Sequence, residues 1–454
     1  MRDSSEFLYS SLCQNLNECH PPPRVLVKEV AVNLKTNMDT LPDVSIGCCI
    51  YRVPEKLRRA NAEAYTPQVI SIGPFHRDKT AIQLMAIKLR YLTDFLRHSK
   101  ADLPACIRII SELEDRIRQC YQENLTQASK ELVEMILVDS VFVVELFIRS
   151  RYLEYRDEDD EIFSKQWMST AVFHDLLLLE NQVPFFVLEI LYDLTALSTT
   201  VTFFKLSYEY FKDVLEGQEL ASTSFLMTHL VDYVRALQLS SFPRGATSRG
   251  GKKFELTRSA KELHEAGVEF RLGMGRSSLL DIDFKDGILV MWQVVVHEWT
   301  EAWFRNMIAY EQCHHVGKYI TSYAILMDSL IDTPEDIDIL ISCRILENRL
   351  GSNEDVASLF NSLYKKTMRE DSSEFLYSNL CQKLNEYSRN PWNQWKAAWY
   401  RWRVILYRQY FSNPWSAISV VAAAVLLVLT LLQTACSLMD VYAGDPGQLF
   451  RWHK

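Results

Sequence analysis

Glycine and proline are scarce in this sequence, with 14 of each among 454 residues, where average proteins have about 7% and 5%. Collagen-like repeats and long low-complexity linkers need both residues in quantity, so neither can form the bulk of the chain. The composition also includes 48% hydrophobic and 12% aromatic residues. It predicts a mainly α-helical, well-packed body and not a disordered or β-rich one.

Cysteine and positive charge are also in short supply. The ten cysteines lack the spacing of a disulfide framework, and we expect most of them to be reduced. The net charge is −9, and because residues 388–454 hold seven Lys or Arg against two Asp, the rest of the chain carries −14. A body this acidic repels phosphate backbones, so a nucleic-acid partner is not expected.

Motifs of known chemistry are missing as well. GxSxG, HExxH and CxxC do not occur, and Gly245 to Lys253 fails the phosphate-loop pattern because no Ser or Thr follows its lysine. Asp281, Asp283 and Asp286 suit a hairpin better than a metal site. Cys313, His314 and His315 are better explained as a helix end before a glycine than as zinc ligands. No catalytic, cofactor-binding or metal residue is therefore assigned, and no cofactor is expected.

Charge is absent altogether from Gln409 to Met439. Trp415 to Met439 is almost continuously apolar and long enough to cross about 30 Å of hydrocarbon at about 1.5 Å per residue. A buried core helix is the alternative, but a core helix of this length normally keeps one polar stripe. We predict a transmembrane helix at 412–439, followed by a short tail at 440–454.

Tryptophans and basic residues precede this span. Trp395, Trp399 and Trp402 recur at helical spacing, which predicts an interfacial helix at 388–411 that lies at headgroup depth and contacts the bilayer. The basic residues expected at the same interface are Lys396, Arg401, Arg403 and Arg408. An ordinary amphipathic core helix is the alternative.

The distribution of charge about the span predicts its orientation. Five Lys or Arg precede the span between 389 and 408, and only Arg451 and Lys454 follow it. The positive-inside rule then places the body in the cytoplasm, at the plasma membrane or another endomembrane. The N-terminus lacks the basic and apolar regions of a signal peptide, so insertion is expected to depend on this one span.

One internal repeat is present. DSSEFLYSSLCQNLNE at 3–18 recurs at 371–386 as DSSEFLYSNLCQKLNE, with differences only at Ser11/Asn379 and Asn15/Lys383. Two distant copies cannot stack into a solenoid, so we interpret residues 1–20 as a duplicated N-terminal segment.

The remaining residues, 46–385, are predicted to form a helical domain of two lobes joined by an exposed linker at 240–253, SSFPRGATSRGGKK. A first helix with Ile82, Met85, Leu89, Leu92 and Leu96 as its buried seam is indicated by spacings of three and four. Further helices are predicted near 105–124 and 130–150. The only convincing strand pattern covers 268–290, a small β-hairpin or sheet region with its turn at Asp286-Gly287.

A few polar residues fall within apolar segments. Asp139 points away from the helical stripe of Glu131, Glu134 and Glu145, so we predict that it is buried and needs a partner or a raised pKa. Glu180, Asn181 and Gln182 pose the same question inside LLLLENQVPFF. A structural ion pair or a kinked corner is one explanation. The other is a polar pocket, with these further members: Tyr65, His76 and Glu189.

Several long blocks resemble the plant domain of unknown function 247 family. They are CIYRVPEKLRRANAEAYTPQVISIGPFH at 49–76, LLLLENQVPFFVLE at 176–189, SAKELHEAGVEFRLG at 259–273 and NMIAYEQC at 306–313. The resemblance extends over roughly 46–435. It implies a plant membrane protein with a large helical domain, and some grass members of the family are associated with pollen self-incompatibility.

The function expected from these features is non-enzymatic recognition or signalling at a membrane surface, through a protein partner. The expectation rests on the resemblance and on the missing catalytic motifs. The alternative is a small-ligand receptor or an uncharacterised enzyme that uses the polar pocket near Asp139 and Glu180.

Overall fold

The computed structural model describes residues 28, 30–35, 49–79, 82–212, 227–240, 255–274, 278–314, 316–364, 375–395, 398–399 and 414–443. The duplicated segment 1–20 lies outside these residues, as do 241–253 of the predicted linker, 400–411 of the predicted interfacial helix and 444–454 of the tail. The division of the body into two lobes stays a prediction.

The body is mainly helical, as the composition predicted. Its helices are α1 Glu55–Arg58, α2 Ile82–His98, α3 Leu103–Glu112, α4 Glu114–Gln119, α5 Ser129–Arg151, α6 Glu161–Ser164, α7 Gln166–Asp175, α8 Phe185–Asp193, α9 Phe203–Phe211, α10 Leu230–Ser240, α11 Ala260–Glu265, α12 Thr300–Cys313, α13 Tyr319–Leu330, α14 Pro334–Ser342, α15 Asn353–Tyr364 and α16 Ser378–Arg389. A further helix, α17, covers Pro414–Ala443.

Helix α5 is the centre of the first part of the body. Nearly every residue from Leu132 to Arg149 is buried, because α2, α3, α8 and α9 all pack around it. Such a helix is apolar on every side, whereas a surface helix has one apolar stripe. Asp139 is buried as predicted, but Glu145 is buried too, with its carboxylate 3.1 Å from His98 and 3.7 Å from Arg149.

The helix predicted from the spacing of Ile82 to Leu96 is confirmed as α2, but two residues of its predicted seam are not buried. Met85 and Leu89 are 41% and 47% exposed. The face that packs on α5 carries a lysine, Lys88, whose ammonium pairs with Asp139 inside the core. An apolar periodicity cannot place a buried lysine, so the seam was assigned to the neighbouring face. The residues of α2 that are buried are Ile87, Lys88, Tyr91, Leu92 and Phe95.

The predicted β region is confirmed. Strands β1 Glu269–Leu272, β2 Asp283–Lys285 and β3 Ile288–Met291 form one sheet in the order β1-β3-β2, with β3 parallel to β1 and antiparallel to β2. Asp286 and Gly287 both have positive φ, as a tight hairpin turn requires. A second sheet was not predicted: β4 Val294–Val296 pairs in parallel with β5 Leu346–Asn348.

Helix α17 is the one helix among the described residues that is long and apolar enough to cross a membrane. Its segment Ala422–Met439 is entirely exposed, so no described part of the body covers it. Upstream, Trp395 and Trp399 are 56% and 53% exposed, and their rings stack with centroids 5.9 Å apart. The other predicted interface residues lie outside the described residues: Lys396, Arg401, Trp402, Arg403 and Arg408.

Candidate functional site

The conspicuous ENQ sequence after α7 forms a buried corner that contacts the backbone of an earlier segment. We call residues 49–79 the strap, and Asp175, Glu180, Asn181 and Gln182 the polar corner. All four side chains of the corner are at most 1% exposed. Pro184 caps the start of the next helix. The backbone hydrogen-bonding groups of this turn therefore cannot be paired within one uninterrupted helix.

Glu180 is the electrostatic centre of the polar corner. Its carboxylate pairs with Arg58, lies 3.2 Å from His76 Nε2 and accepts a 2.7 Å hydrogen bond from the backbone N–H of Val53. Burial alone would raise the pKa of Glu180, but these partners together outweigh it and lower the pKa to about 2. The residue is therefore a permanently ionised acceptor.

Asp175 binds the strap through backbone alone. Its carboxylate accepts hydrogen bonds of 2.7–2.8 Å from the N–H groups of Gln68, Val69 and Ile70. Burial outweighs these three hydrogen bonds and raises the pKa of Asp175 to about 6. Asp175 was not predicted as part of this site, although it stands immediately before LLLLENQ.

The two amides of the corner also bind backbone. Asn181 accepts from the N–H of Ile72 at 2.6 Å and donates to the carbonyl of Ile70 at 2.9 Å. Gln182 accepts from the N–H of Leu230 at 3.0 Å, and so connects the corner to the start of α10. Side chains that form two or more such bonds have few donors or acceptors left for a ligand.

Asp139 binds the backbone of the strap near its C-terminal end. One carboxylate oxygen accepts from the N–H of Gly73 at 2.8 Å, and the other binds the ammonium of Lys88. Gly73 has φ +74°, and a Cβ added there would collide with the carbonyl of Gln182, so only glycine fits. Burial raises the pKa of Asp139 despite the nearby lysine.

The structure thus brings most of the predicted polar residues together, around the strap. Tyr65 belongs to the strap itself, is 1% exposed and lies beneath Arg58, and burial raises its pKa to about 12. Glu189 is separate from this group, on the exposed side of α8. Asn306 of α12 was not predicted, yet it joins the two segments by accepting from Leu179 N–H and donating to the Ala64 carbonyl.

Two adjoining cavities lie beside this region, at the surface around Trp299, and the larger one is lined in part by the strap and by Asp175. We call them together the Trp299 cleft. Five residues line both cavities, and they come from α7, from the loop between β4 and α12, and from the end of β5: Thr170, His174, His297, Trp299 and Arg349. The cavity volumes are about 710 and 800 Å³. Each is large enough for a small organic molecule.

The centre of the cleft is an indole with two imidazoles. The ring centroid of Trp299 lies 5.1 Å from that of His174 and 5.4 Å from that of His297, with planes 28° and 12° apart. Burial, with a smaller contribution from His297, lowers the pKa of His174 to about 4. Burial and then Arg349 lower the pKa of His297. Both rings are therefore neutral at pH 7 and present N–H donors and lone pairs.

The two chambers differ in charge. The smaller cavity, which we call the basic chamber, has no carboxylate among its described lining residues but includes Lys212 and Arg349. Its lining also offers aromatic rings and hydroxyls, from Ser150, Phe163, Ser169, Thr170, Phe173, Tyr210 and Trp299. The larger cavity, the acidic chamber, is lined by Glu63, Asp175, Glu298 and Glu301 together with the exposed Trp167.

Comparison with known proteins identifies the family. Residues 50–429 match the model of DUF247, described as a plant protein of unknown function. The chain belongs to this family. The match takes in nearly all of the strap, the polar corner, the Trp299 cleft and about half of α17.

Two relatives from Arabidopsis thaliana extend along most of the chain. UPF0481 protein At3g47200 is 30% identical over 429 residues, which is 88% of each chain. Putative UPF0481 protein At3g02645 is 21% identical over 522 residues and covers 88% of this chain and 93% of its own. No solved structure matches this chain. Family membership therefore brings no assigned chemistry to the two polar regions.

Proposed function

We propose that this DUF247 protein is a single-pass membrane protein that holds a non-enzymatic recognition body at the cytoplasmic surface of a plant membrane. The observation that carries the anchor is α17, whose apolar segment Ala422–Met439 packs against no described part of the body. Helices of this length bury their apolar surface either in a protein core or in lipid. The exposed tryptophans before α17 support an interfacial position, as in other membrane proteins.

Charges placed within α17 test the anchor. An arginine at the centre of a spanning helix costs about 2.5–3.5 kcal/mol, and much less near its end. We expect Leu427→Arg combined with Leu431→Arg to release the full chain from membranes on carbonate extraction. The matched control, Leu438→Arg with Met439→Arg, should stay in the membrane pellet. Equal behaviour of the two variants would contradict a spanning role.

Glycosylation tests the orientation. Asn124 begins the sequence Asn-Leu-Thr and is exposed on the body. A cytoplasmic body predicts an unmodified Asn124, and an acceptor sequence added after Lys454 should be glycosylated in microsomes because it would lie in the lumen. A glycan on Asn124, detected by mass spectrometry, would show that the body lies in the lumen and would contradict the proposed orientation.

A second candidate function, a small-ligand receptor, is favoured by the Trp299 cleft. The polar pocket predicted near Asp139 and Glu180 uses its donors and acceptors on the strap, whereas the cleft has both volume and accessible polar groups. The basic chamber combines aromatic rings with Lys212 and Arg349. An aromatic carboxylate suits these groups, because the guanidinium of arginine binds carboxylates through two parallel hydrogen bonds.

Two probes that differ only in charge test this candidate. 2-Naphthoate and its neutral isostere 2-naphthamide would be titrated calorimetrically into the full chain in lipid nanodiscs, with empty nanodiscs as the blank. We expect the carboxylate to bind about tenfold more tightly, as one charge-assisted hydrogen bond provides. Equal affinities for the two probes would contradict the proposed preference of the basic chamber for anions.

Arginine variants locate the binding. Arg349→Gln should abolish the preference for the carboxylate. The matched control is Arg271→Gln, since Arg349 pairs with Glu347 at 2.7 Å and Arg271 pairs with Glu269 at 2.6 Å, both exposed and two residues from their partners. A similar loss in both variants would show that the charge acts at long range and not within the cleft.

A further inference from the structure

The second copy of the internal repeat fills a groove in the body. Its described part, residues 375–386, includes the start of α16, which packs on β2. The Tyr377 hydroxyl donates to the Leu280 carbonyl at 2.7 Å, and the Asn385 amide donates to the Leu256 carbonyl at 2.9 Å. The Leu376 N–H donates to the Ser322 hydroxyl at 3.2 Å. We call the surface formed by Leu256, Leu280, Phe284 and Ser322 the repeat groove.

The differences between the two copies avoid this groove. The copies differ only at Ser11/Asn379 and Asn15/Lys383, and both Asn379 and Lys383 lie outside the buried set. The buried side chains of the second copy are all repeated in the first: Phe375, Tyr377, Leu380, Cys381, Leu384 and Asn385 correspond to Phe7, Tyr9, Leu12, Cys13, Leu16 and Asn17. Every buried side chain of residues 375–386 is therefore available twice in one chain.

We propose that residues 7–18 compete with residues 375–386 for the repeat groove of the same molecule. Residues 19–48 connect Glu18 to the start of the strap at Cys49, and residues 28 and 30–35 among them are helical. This connection can extend about 85 Å, at roughly 3.3 Å per residue outside the helix and about 1.5 Å within it. This reach exceeds the size of a compact body of this length, so the first copy can arrive at the groove. A tethered competitor also acts at a high effective concentration. The groove thus has an internal ligand of defined sequence.

In the described structure the second copy occupies the repeat groove, and contacts made just beyond the repeat favour this copy. Beyond the repeat, α16 continues to Arg389, the Tyr387 ring packs edge-on against Phe284 at 5.5 Å, and Ser388 is fully buried. The first copy has Cys19 and His20 at the corresponding positions, followed by three prolines, which do not continue a helix. It binds the same groove with fewer contacts, so exchange favours the first copy only when the second is weakened or pulled away.

Exchange would free α16 from the body. Because α16 is the last body element before Trp392 and α17, its release would lengthen the connection between the body and the C-terminal helix. This consequence rests on the proposed membrane anchor, whereas the exchange itself does not. A failure of the anchor test would leave the competition for the groove unaffected.

Paired substitutions at one buried position test the exchange in the full chain. Leu384→Asp places a charge in the groove, Leu16→Asp is its equivalent in the first copy, and the double variant removes both competitors. We expect Leu16→Asp alone to leave the thermal midpoint of the body unchanged. The double variant should lose about twice as much as Leu384→Asp alone, a non-additivity that independent sites do not show.

The positions outside the groove supply the matched control. Asn15→Asp and Lys383→Asp should be additive, because neither position belongs to the shared buried set. Equal losses for Leu384→Asp and the double variant would overturn the proposal, and the milder pair Leu16→Ala and Leu384→Ala keeps the comparison measurable if the aspartate variants do not fold. Dimers of the Leu384→Ala variant, detected by native mass spectrometry, would overturn exchange within one molecule.

Discussion

The polar corner and the Trp299 cleft are neighbours in sequence and in space. His174 belongs to the cleft, and Asp175 belongs to the corner and also lines the acidic chamber. In the corner, carboxylates and amides bind backbone N–H groups of the strap at 2.6–2.8 Å. In the cleft, neutral imidazoles, an indole and an exposed arginine surround open volume. Buried polar groups that are fully bonded specify one packing, whereas accessible ones are available for a ligand.

The largest effect is expected from Glu180→Gln, which removes the charge at the centre of the corner. Breaking one partner of a buried ion pair costs about 3–5 kcal/mol because the remaining charges lose their compensation. We expect this loss in the free energy of unfolding of the body, measured by urea denaturation. Glu189→Gln, on the exposed side of α8, is the control and should change stability by less than about 0.5 kcal/mol. Similar losses of stability in the two variants would contradict a special role of the polar corner in holding the body together.

The adjacent residues His174 and Asp175 should respond to pH in opposite directions. The folded pKa of His174, about 4, lies below its ordinary 6.5, so the unfolded state takes the proton first and stability falls as the pH drops through this window. The folded pKa of Asp175, about 6, lies above its ordinary 3.8, so its contribution to stability rises as the pH drops from 6 to 4. Each effect reaches up to about 3 kcal/mol.

Single substitutions separate these two contributions. Between pH 7 and pH 4, His174→Gln should flatten the acid loss of stability of the body, and Asp175→Asn should steepen it. Urea denaturation at several pH values measures both slopes. If both variants changed the slope of stability against pH in the same direction, the two residues would not have the opposite pH responses expected of them. The contrast between the corner and the cleft would then be wrong.

The smallest effect is expected in the cleft itself, from Arg349→Gln. Its pair with Glu347 is exposed, with side chains 55% and 41% accessible, and such pairs contribute about 0–1 kcal/mol. Stability should change by less than about 0.5 kcal/mol, even where naphthoate binding is lost. A loss comparable to that of Glu180→Gln would mean that the cleft, like the corner, is structural.

Local patterns in the sequence were enough to predict α5, the hairpin at Asp286-Gly287 and the burial of Asp139, because each depends on neighbours within a few residues. The pairing of β4 with β5 joins segments about 50 residues apart. The three valines of β4 contain no sequence feature that identifies the strand with which they pair. The seam of α2 was missed because Lys88 is buried through Asp139, a contact between residues 51 apart.

The candidate site was predictable only where its residues stand together. Glu180, Asn181 and Gln182 are consecutive and interrupt an apolar run, so their burial and need for partners could be inferred. The residues that line both chambers of the cleft come from three separate stretches, at 170–174, 297–299 and 349, none of which has an unusual pattern. Their proximity follows from the tertiary packing, which no spacing in the sequence encodes.

Recognition of the strap through its backbone has a consequence for how this sequence can evolve. Exposed side chains of the strap can change more freely than its buried ones, but proline is forbidden at every position, buried or exposed, whose N–H group binds the body. The strap has prolines at 54, 67 and 74, and each stands directly beside such a donor and never at one. Among its homologues, proline should therefore be absent from the donor positions Val53, Gln68, Val69, Ile70, Ile72 and Gly73.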